Sequence, residues 1–328
     1  MTIAQPVEEH HTHMYDDLKI AAIVPCHNEE AAVGTVVAEL RAAVPSMDIY
    51  VYDNNSTDAT VERALEAGAI VRHEWVKGKG NVVRRAFADI EADVYVLIDG
   101  DDTYDAAALP QMIDELLAGP LDHVLGVRAQ VTESAYRPGH EAGNRAFNNL
   151  VSAIFGTRVN DMLSGYRVFS RRFVKSFPAV SREFEIETEL TVHSSSLRVP
   201  QTEVTVGFKD RPAGSESKLN TYSDGIKILS LIVQLVRHER PVLFHSILGG
   251  VVFLIALIVG IPVIVEFFQT GEVARFPSAI LASSLAIIAA LTLLLGFILD
   301  GITRSRRENA RLSYLRYPAP SRPTGRLD

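Results

Sequence analysis

The sequence predicts an α/β domain with a mostly parallel sheet, followed by two transmembrane helices, and three observations predict it. Short apolar runs that read as strands alternate with helical patterns over residues 19–117. Polar clusters beginning at Pro25, Asp53 and Asp99 each fall where such a run ends. Beyond Arg240 two long runs, Pro241–Val265 and Phe276–Leu299, carry no charge.

The elements follow in order. Ile20-Ala21-Ala22-Ile23-Val24 is a first strand, ended by Pro25, and residues 29–43 have helical periodicity. Ile49–Tyr52 is a second strand, Asp53–Ser56 a turn cluster, and Thr57 is placed to cap a helix through Ala67. Ala69–Val71 is a third strand, with a helix from Asn81 to Glu91. Val94–Ile98 runs straight into Asp99 and precedes a helix over Ala106–Leu117. Strands alternating with helices at this spacing build parallel α/β sheets, whose ligands sit at the strands' carboxyl ends. The three clusters are therefore expected to converge. Further on, Glu141–Phe155 reads as a helix, Asp161–Arg167 as a loop feeding a strand, Glu187–Leu197 as a helix and Val199–Phe208 as a strand.

The two uncharged runs exceed the roughly 20 apolar residues that span a bilayer, and Pro262 is a kink membranes tolerate. Arg237 and Arg240 precede the first run; Arg304, Arg306, Arg307 and Arg311 follow the second. Basic flanks stay on the cytoplasmic side, so both ends of this hairpin are expected there. Residues 1–17, with His10, His11 and His13, contain no apolar core of a signal peptide and read as a loose leader. The large N-terminal part is then also cytoplasmic, where the single cysteine, Cys26, stays reduced. In residues 222–238, Ile226, Leu229, Ile232, Val233 and Val236 recur at helical spacing just before the first span, which suggests a helix in the headgroup plane. The domains are thus a leader over 1–17, a soluble domain over 18–221, an interfacial helix over 222–240, a membrane hairpin over 241–301 and a basic tail over 302–328.

Charge divides the same way. Of 32 Lys+Arg and 40 Asp+Glu, residues 1–236 hold 22 and 34 and the remainder 10 and 6, so an acidic domain precedes a basic membrane segment. The mean hydropathy of +0.12 is the trace of that segment. The soluble part has no basic footprint for nucleic acid. One cysteine excludes an internal disulfide and a cysteine-rich zinc site.

Asp99-Gly100-Asp101-Asp102 closes the fourth strand. Carboxylates at its first and third positions can face a common Mg²⁺ or Mn²⁺, which would bridge a diphosphate and stabilise it as a leaving group. Asp102 is either a third ligand or part of a helix-capping turn. Glu185 and Glu187 stand at a helix start, from which they either reach the site or, the preferred reading, are simply favoured there by the helix dipole.

The set Val24-Pro25-Cys26-His27-Asn28-Glu29-Glu30, Asp53-Asn54-Asn55-Ser56-Thr57-Asp58 and Asp99-Gly100-Asp101 resembles family 2 glycosyltransferases. Asp161–Arg167, Asp210-Arg211, Gly214 and Ser217-Lys218 sharpen this towards the polyprenyl-phosphate branch, typified by dolichyl-phosphate mannose synthases and bacterial undecaprenyl-phosphate glucosyltransferases. The resemblance covers residues 19–220, and paired C-terminal spans match the bacterial members. It implies a GT-A (Rossmann-like) nucleotide-diphospho-sugar fold and a metal-dependent, inverting transfer of a hexose from a UDP-glucose-like or GDP-mannose-like donor to a polyprenyl phosphate. By position, Pro25, His27 and Glu29 line the nucleotide pocket, Asp53 contacts base or ribose, and Lys79 and Gly80 form the turn near the nucleotide. Asp99, Gly100 and Asp101 bind diphosphate and metal, Arg128 and Arg145 hold the acceptor phosphate, and Arg211 and Lys218 clamp phosphates on loop closure. The resemblance also implies a homo-oligomer, up to a tetramer. His27 replaces a common Tyr and Asn54 a common second Asp, so the donor's base stays open.

Three other readings are weighed. A processive polysaccharide synthase needs a Gln-x-x-Arg-Trp motif, and the single tryptophan, Trp75, lies too early. A nicotinamide-dependent oxidoreductase needs a glycine where Val83 stands after Gly78-Lys79-Gly80. A non-catalytic scaffold that binds a nucleotide sugar predicts an impaired Asp-x-Asp, which here is intact.

Overall fold

The computed structural model describes residues 15, 17–129, 160–179, 186–209, 233–234 and 236–321. Most of the leader, the helix expected at Glu141–Phe155, Glu185 and most of the expected interfacial helix lie outside them. Two compact units emerge: residues up to Leu219 together with Ala310 onward, and Asn220–Asn309.

The first unit is an α/β domain. Strands β1 (Ile20–Cys26), β2 (Asp48–Asp53), β3 (Ile70–His73) and β4 (Val94–Leu97) alternate with helices α1 (Val33–Ala43), α2 (Thr60–Glu66) and α3 (Lys79–Asp89). A short 3₁₀ turn, Ala106–Ala108, leads into α4 (Leu109–Ala118). Then come β5 (His123–Arg128), β6 (Arg167–Ser170), α5 (Arg171–Ser176), α6 (Ile186–Leu197) and β7 (Gln201–Val206). Among the described residues the sheet order is β3-β2-β1-β4-β6-β5-β7. Side chains alternate along a strand. Ile20, Ala22 and Val24 of β1 therefore pack into one core with α1 and α4, while Ala21 and Ile23 pack into the other with α3, α5 and α6. Each fully buried Ile or Val contributes about 1.5–3 kcal/mol.

The sheet is mostly parallel, as expected, with β6 as the reversed strand among those described. β6 runs antiparallel to both β4 and β5. Leu97 pairs with Arg167, so residues that precede Arg167 lie beside those that follow Leu97. This reversal carries the Asp161–Tyr166 loop to the carboxyl end of β4. On the other side, Cys26, Asp53 and His73 form one row across the ends of β1, β2 and β3.

Local details differ from the sequence reading. Thr57 does not cap α2; the helix begins at Thr60, and the Asp58 carboxylate accepts from the Thr60 N–H at 3.0 Å. Asp102 is not the cap of the turn after β4. Asp105 takes that role by accepting from the Ala107 N–H at 2.9 Å, whereas Asp102 pairs with Lys209 at 3.3 Å.

The second unit holds two helices long and apolar enough to cross a membrane, α7 (Pro241–Thr270) and α8 (Phe276–Tyr314). Their most apolar windows are only 17% and 11% buried. A core helix of a soluble domain would bury a broad apolar stripe. Glycines let the pair approach closely: a Cβ on Gly249 would stand 3.1 Å from the Ala289 carbonyl, and one on Gly260 3.2 Å from Ala282 Cβ. Pro262 lies within α7, and Gly271, with φ +75°, ends it.

α8 runs 13 residues past the hairpin boundary read from hydropathy, to Tyr314. From Ala310 on, the chain belongs to the first unit. Tyr314 donates to the buried Asp122 carboxylate at 2.7 Å, Arg172 and Arg311 stack on its ring, and Arg171 stacks on Tyr317. Of the segment expected as a basic tail over 302–328, the part from Ala310 on thus groups with the α/β domain.

Candidate active site

The site stands on the carboxyl ends of β1, β2, β4 and β5 and the first turn of α3. The loops after β1 and β2 hold each other. Asn28, at φ +56°, donates its N–H to Ser56 Oγ at 3.0 Å and accepts from the Thr57 N–H at 2.8 Å. The Glu29 N–H donates to Thr60 Oγ1 at 2.8 Å, and Glu30 accepts from the Ala59 N–H at 2.9 Å. Pro25, His27 and Glu29 therefore sit on a braced loop, and His27 Nδ1 is buried without a hydrogen-bond partner among the described residues.

Asp53 is buried at the end of β2, accepts from the Ser56 N–H at 3.1 Å and meets His73 Nδ1 at 3.2 Å. Its neighbour Asn54 explains why an amide stands where relatives of the pattern have a second Asp. Asn54 Nδ2 donates to the carbonyls of Glu74 and Val76 at 2.6 and 3.0 Å, and its Oδ1 accepts from the Gly78 N–H at 2.7 Å. A carboxylate has no proton to donate and would face both carbonyls unsatisfied.

Lys79 opens α3 immediately after Gly78, whose φ of +125° suits glycine. Its ammonium donates to both Asp99 and Glu187. Burial alone would push the Lys79 pKa down, but the two carboxylates overcome it and the net shift is upward. Glu187 is shifted up by its burial, with Asp99 adding to the shift and Lys79 opposing it. Glu187 Oε2 is buried without a hydrogen-bond partner among the described residues. Of the two readings of Glu187 at its helix start, the contact with Lys79 favours the one that brings it to the candidate site over the dipole alone. Gly80 follows Lys79 and is buried in the same turn.

Two glycines make the acidic turn fit. A Cβ on Gly100 would stand 2.4 Å from Cys26 Sγ, and one on Gly165 2.3 Å from Asp99 Oδ2. The Gly165 N–H donates to the Tyr104 hydroxyl at 2.9 Å. Burial, with Asp99 nearby, pushes that hydroxyl's pKa up to about 12. Asp101 is buried and accepts from Thr103 Oγ1 at 2.7 Å. Cys26 is buried below, and burial raises its thiol pKa well above the ordinary value. The loop behind Gly165 is held by the fully buried Arg167, which donates to the carbonyls of Ser164 and Met162 at 2.8 and 2.7 Å and to Thr191 Oγ1 at 2.8 Å.

Arg128 ends β5 and is not a bare cation. Its Nε and one terminal nitrogen donate to the two Asp161 oxygens at 2.6 and 2.7 Å, and its guanidinium lies 5.3 Å from the Phe208 ring centroid. Arg145, Arg211 and Lys218 lie outside the described residues.

Among the described residues no group of three or more His, Cys, Asp or Glu side chains is arranged to hold a metal ion alone. Mg²⁺ typically takes one or two carboxylates, with substrate phosphates and waters completing its shell. The hard oxygens of Asp99 and Asp101 fit that donor set.

Comparison with known proteins places the chain among glycosyltransferases. The model of the family described as glycosyl transferase family 2 matches residues 21–177. The glycosyltransferase AglJ of Haloferax volcanii is 33% identical over 232 residues, which span 70% of this chain and 76% of AglJ. A dolichyl-phosphate hexose transferase of the same organism is 29% identical over 226 residues, 69% of this chain and 96% of that protein. Glucosyl-3-phosphoglycerate synthase from Mycobacterium tuberculosis, solved with Mn²⁺, UDP and glucosyl-3-phosphoglycerate, superposes with a TM-score of 0.57 at 21% identity, over 72% of this chain and 85% of that one. At that identity the likeness concerns the fold.

Proposed function

This chain belongs to glycosyl transferase family 2, and from that membership we propose that it moves a hexose from a nucleoside-diphosphate sugar to a polyprenyl phosphate at the cytoplasmic face of a membrane. The observation that carries the acceptor is the presence, in one chain, of an intact Asp99-Gly100-Asp101 turn and two candidate membrane helices. The dolichyl-phosphate hexose transferase relative supports the same class of acceptor.

In this reading the diphosphate lies over the carboxyl ends of β1 and β4. Asp99 and Asp101 would hold a divalent cation, Mg²⁺ or Mn²⁺, which when bound supplies positive charge to the departing diphosphate. Lys79 keeps Asp99 and Glu187 in place, and the second oxygen of Glu187 accepts a hydroxyl of the sugar. Pro25, His27, Glu29 and Asp53 bound the nucleoside. The acceptor phosphate is already ionised, so its attack on the anomeric carbon needs no strong general base. Its negative charge and that of the donor must instead be held together, which is work for arginine. Arg128 enters this step already oriented by Asp161, and Arg145, Arg211 and Lys218 supply the remaining positive charge. Attack from the face opposite the departing diphosphate inverts the anomeric centre. Alignment and fixed charge supply the acceleration.

The basic flanks of the two spans support a cytoplasmic catalytic domain, and the family resemblance supports a homo-oligomer, up to a tetramer. A donor screen tests the reading: UDP-glucose, UDP-GlcNAc and GDP-mannose, each with a polyprenyl phosphate and Mg²⁺ or Mn²⁺, should give one strongly preferred donor with sugar on lipid. Hydrolysis alone, with no glycolipid from any donor, would contradict it.

A further inference from the structure

Trp75 is the one tryptophan of the chain, and it is 74% exposed on a loop that is otherwise tied down. The Glu74 N–H donates to the Asp53 carbonyl at 2.9 Å. The Trp75 carbonyl accepts from Asn55 Nδ2 at 3.1 Å, and the Val76 N–H donates to Glu74 Oε1 at 2.8 Å. With the three hydrogen bonds of Asn54, the backbone from Glu74 to Gly78 is held on both sides of Trp75. The indole stacks on His73 with ring centroids 5.3 Å apart and planes 11° apart. A large aromatic ring held open on a fixed loop is already ordered for stacking, so a planar partner meets little entropic cost.

Its position says what that partner is. Gly100 touches Cys26, and Cys26, Asp53 and His73 are register neighbours across β1, β2 and β3. Adjacent strands lie about 4.8 Å apart, so this row spans roughly 14 Å from the acidic turn to β3. That is comparable with the reach of an extended nucleoside diphosphate from its terminal phosphate to its base. With phosphates at Asp99–Asp101, the base arrives at the carboxyl end of β3, beside the Asp53–His73 pair and Trp75. The floor there is polar and acidic, which suits a base better than a lipid surface.

We propose that Trp75 is the stacking platform for the nucleobase of the donor. The proposal rests on the nucleotide-sugar reading above and adds to it the residue that grips the base. Every base presents a π-face, so this contact gives affinity without choosing between uracil and guanine; the choice falls to hydrogen bonds such as those of Asp53.

The single tryptophan makes the test direct. The full-length chain in detergent is titrated with UDP and, separately, GDP in the presence of Mg²⁺, with tryptophan emission excited clear of nucleotide absorption and binding followed in parallel by calorimetry. Saturable quenching with the calorimetric Kd is expected for the better nucleotide. Trp75→Ala should weaken that Kd roughly tenfold, Trp75→Phe should stay within about threefold, and pyrophosphate should bind all three proteins equally. Nucleotide that binds with unchanged emission, and with equal Kd in Trp75→Ala, overturns this inference and leaves the donor reading standing. Emission that responds to anionic lipid vesicles and not to nucleotide overturns it in favour of a membrane contact. Absence of calorimetric nucleotide binding overturns both.

Discussion

Lys79 donates a hydrogen bond to Asp99, tying the first turn of α3 to the acidic turn after β4. The same ammonium reaches Glu187 in the first turn of α6, so one cation fixes two carboxylates from distant parts of the chain. Breaking a buried ion pair from one side leaves uncompensated charge, which costs about 3–5 kcal/mol. Lys79→Met should therefore lower both the unfolding midpoint and kcat/KM for glycosyl transfer, the latter by roughly 10²-fold. Steady-state kinetics on the folded variant checks this; a variant that keeps full kcat/KM would show that the pair is only structural.

Gly165 tests the same carboxylate from the other side. A methyl group there would stand 2.3 Å from Asp99 Oδ2, and overpacking of this kind costs about 1–3 kcal/mol. Gly165→Ala should displace Asp99, leaving the fold intact and raising the divalent-metal concentration needed for half-maximal activity. An unchanged metal titration would contradict the contact.

Within the α/β unit, Tyr314 is fastened to Asp122. Its hydroxyl donates to Asp122, which also accepts from Ser170 Oγ at 2.7 Å and from Arg172. Leaving a buried carboxylate oxygen short of a donor costs about 1–3 kcal/mol. Tyr314→Phe should lower the Tm of the domain by several degrees, and Tyr314→Ala by more, because stacking with Arg172 and Arg311 is lost as well. Thermal unfolding of the full chain in detergent measures it; equal midpoints would show that the contact contributes nothing.

Two buried histidines set an acid limit. Burial lowers the His193 pKa from 6.5 to about 4, and burial with Arg167 nearby lowers that of His123 well below the ordinary value. Between about pH 6.5 and 4 the unfolded chain binds protons that the folded one refuses, so stability falls as pH falls through this window. Each such group contributes up to about 1.4 kcal/mol per pH unit. His193→Gln should flatten the decline of Tm from pH 7 to pH 5; an equally steep decline would remove His193 from the account.

The first half of the domain was legible because its signals are local. Ile20–Val24 and Val94–Leu97 are apolar on both faces, as strands covered by helices on both sides must be. The acidic turn follows directly from the second of them. What escaped depends on tertiary context. β5, with His123 at its start, reads poorly as a strand, because that imidazole is buried by stacking on Phe169 and Phe173. The antiparallel β6 follows a connection whose direction no local pattern encodes. Its helix start left Glu187 with two readings, and only the fold, which sets it against Lys79, separates them. Hydropathy located α8 but could not show that its last turn, with Tyr314, belongs to the α/β domain.

In the proposed reaction Asp99 and Asp101 support transfer of a sugar onto a lipid phosphate. Membranes holding the full chain, given the preferred nucleotide sugar labelled in its hexose and a polyprenyl phosphate, test it most directly. Label is expected to move into organic-extractable lipid with Mg²⁺ or Mn²⁺, and chelation or a folded Asp101→Ala variant is expected to abolish the movement. Undiminished lipid labelling in Asp101→Ala, or labelling that survives chelation, would contradict it.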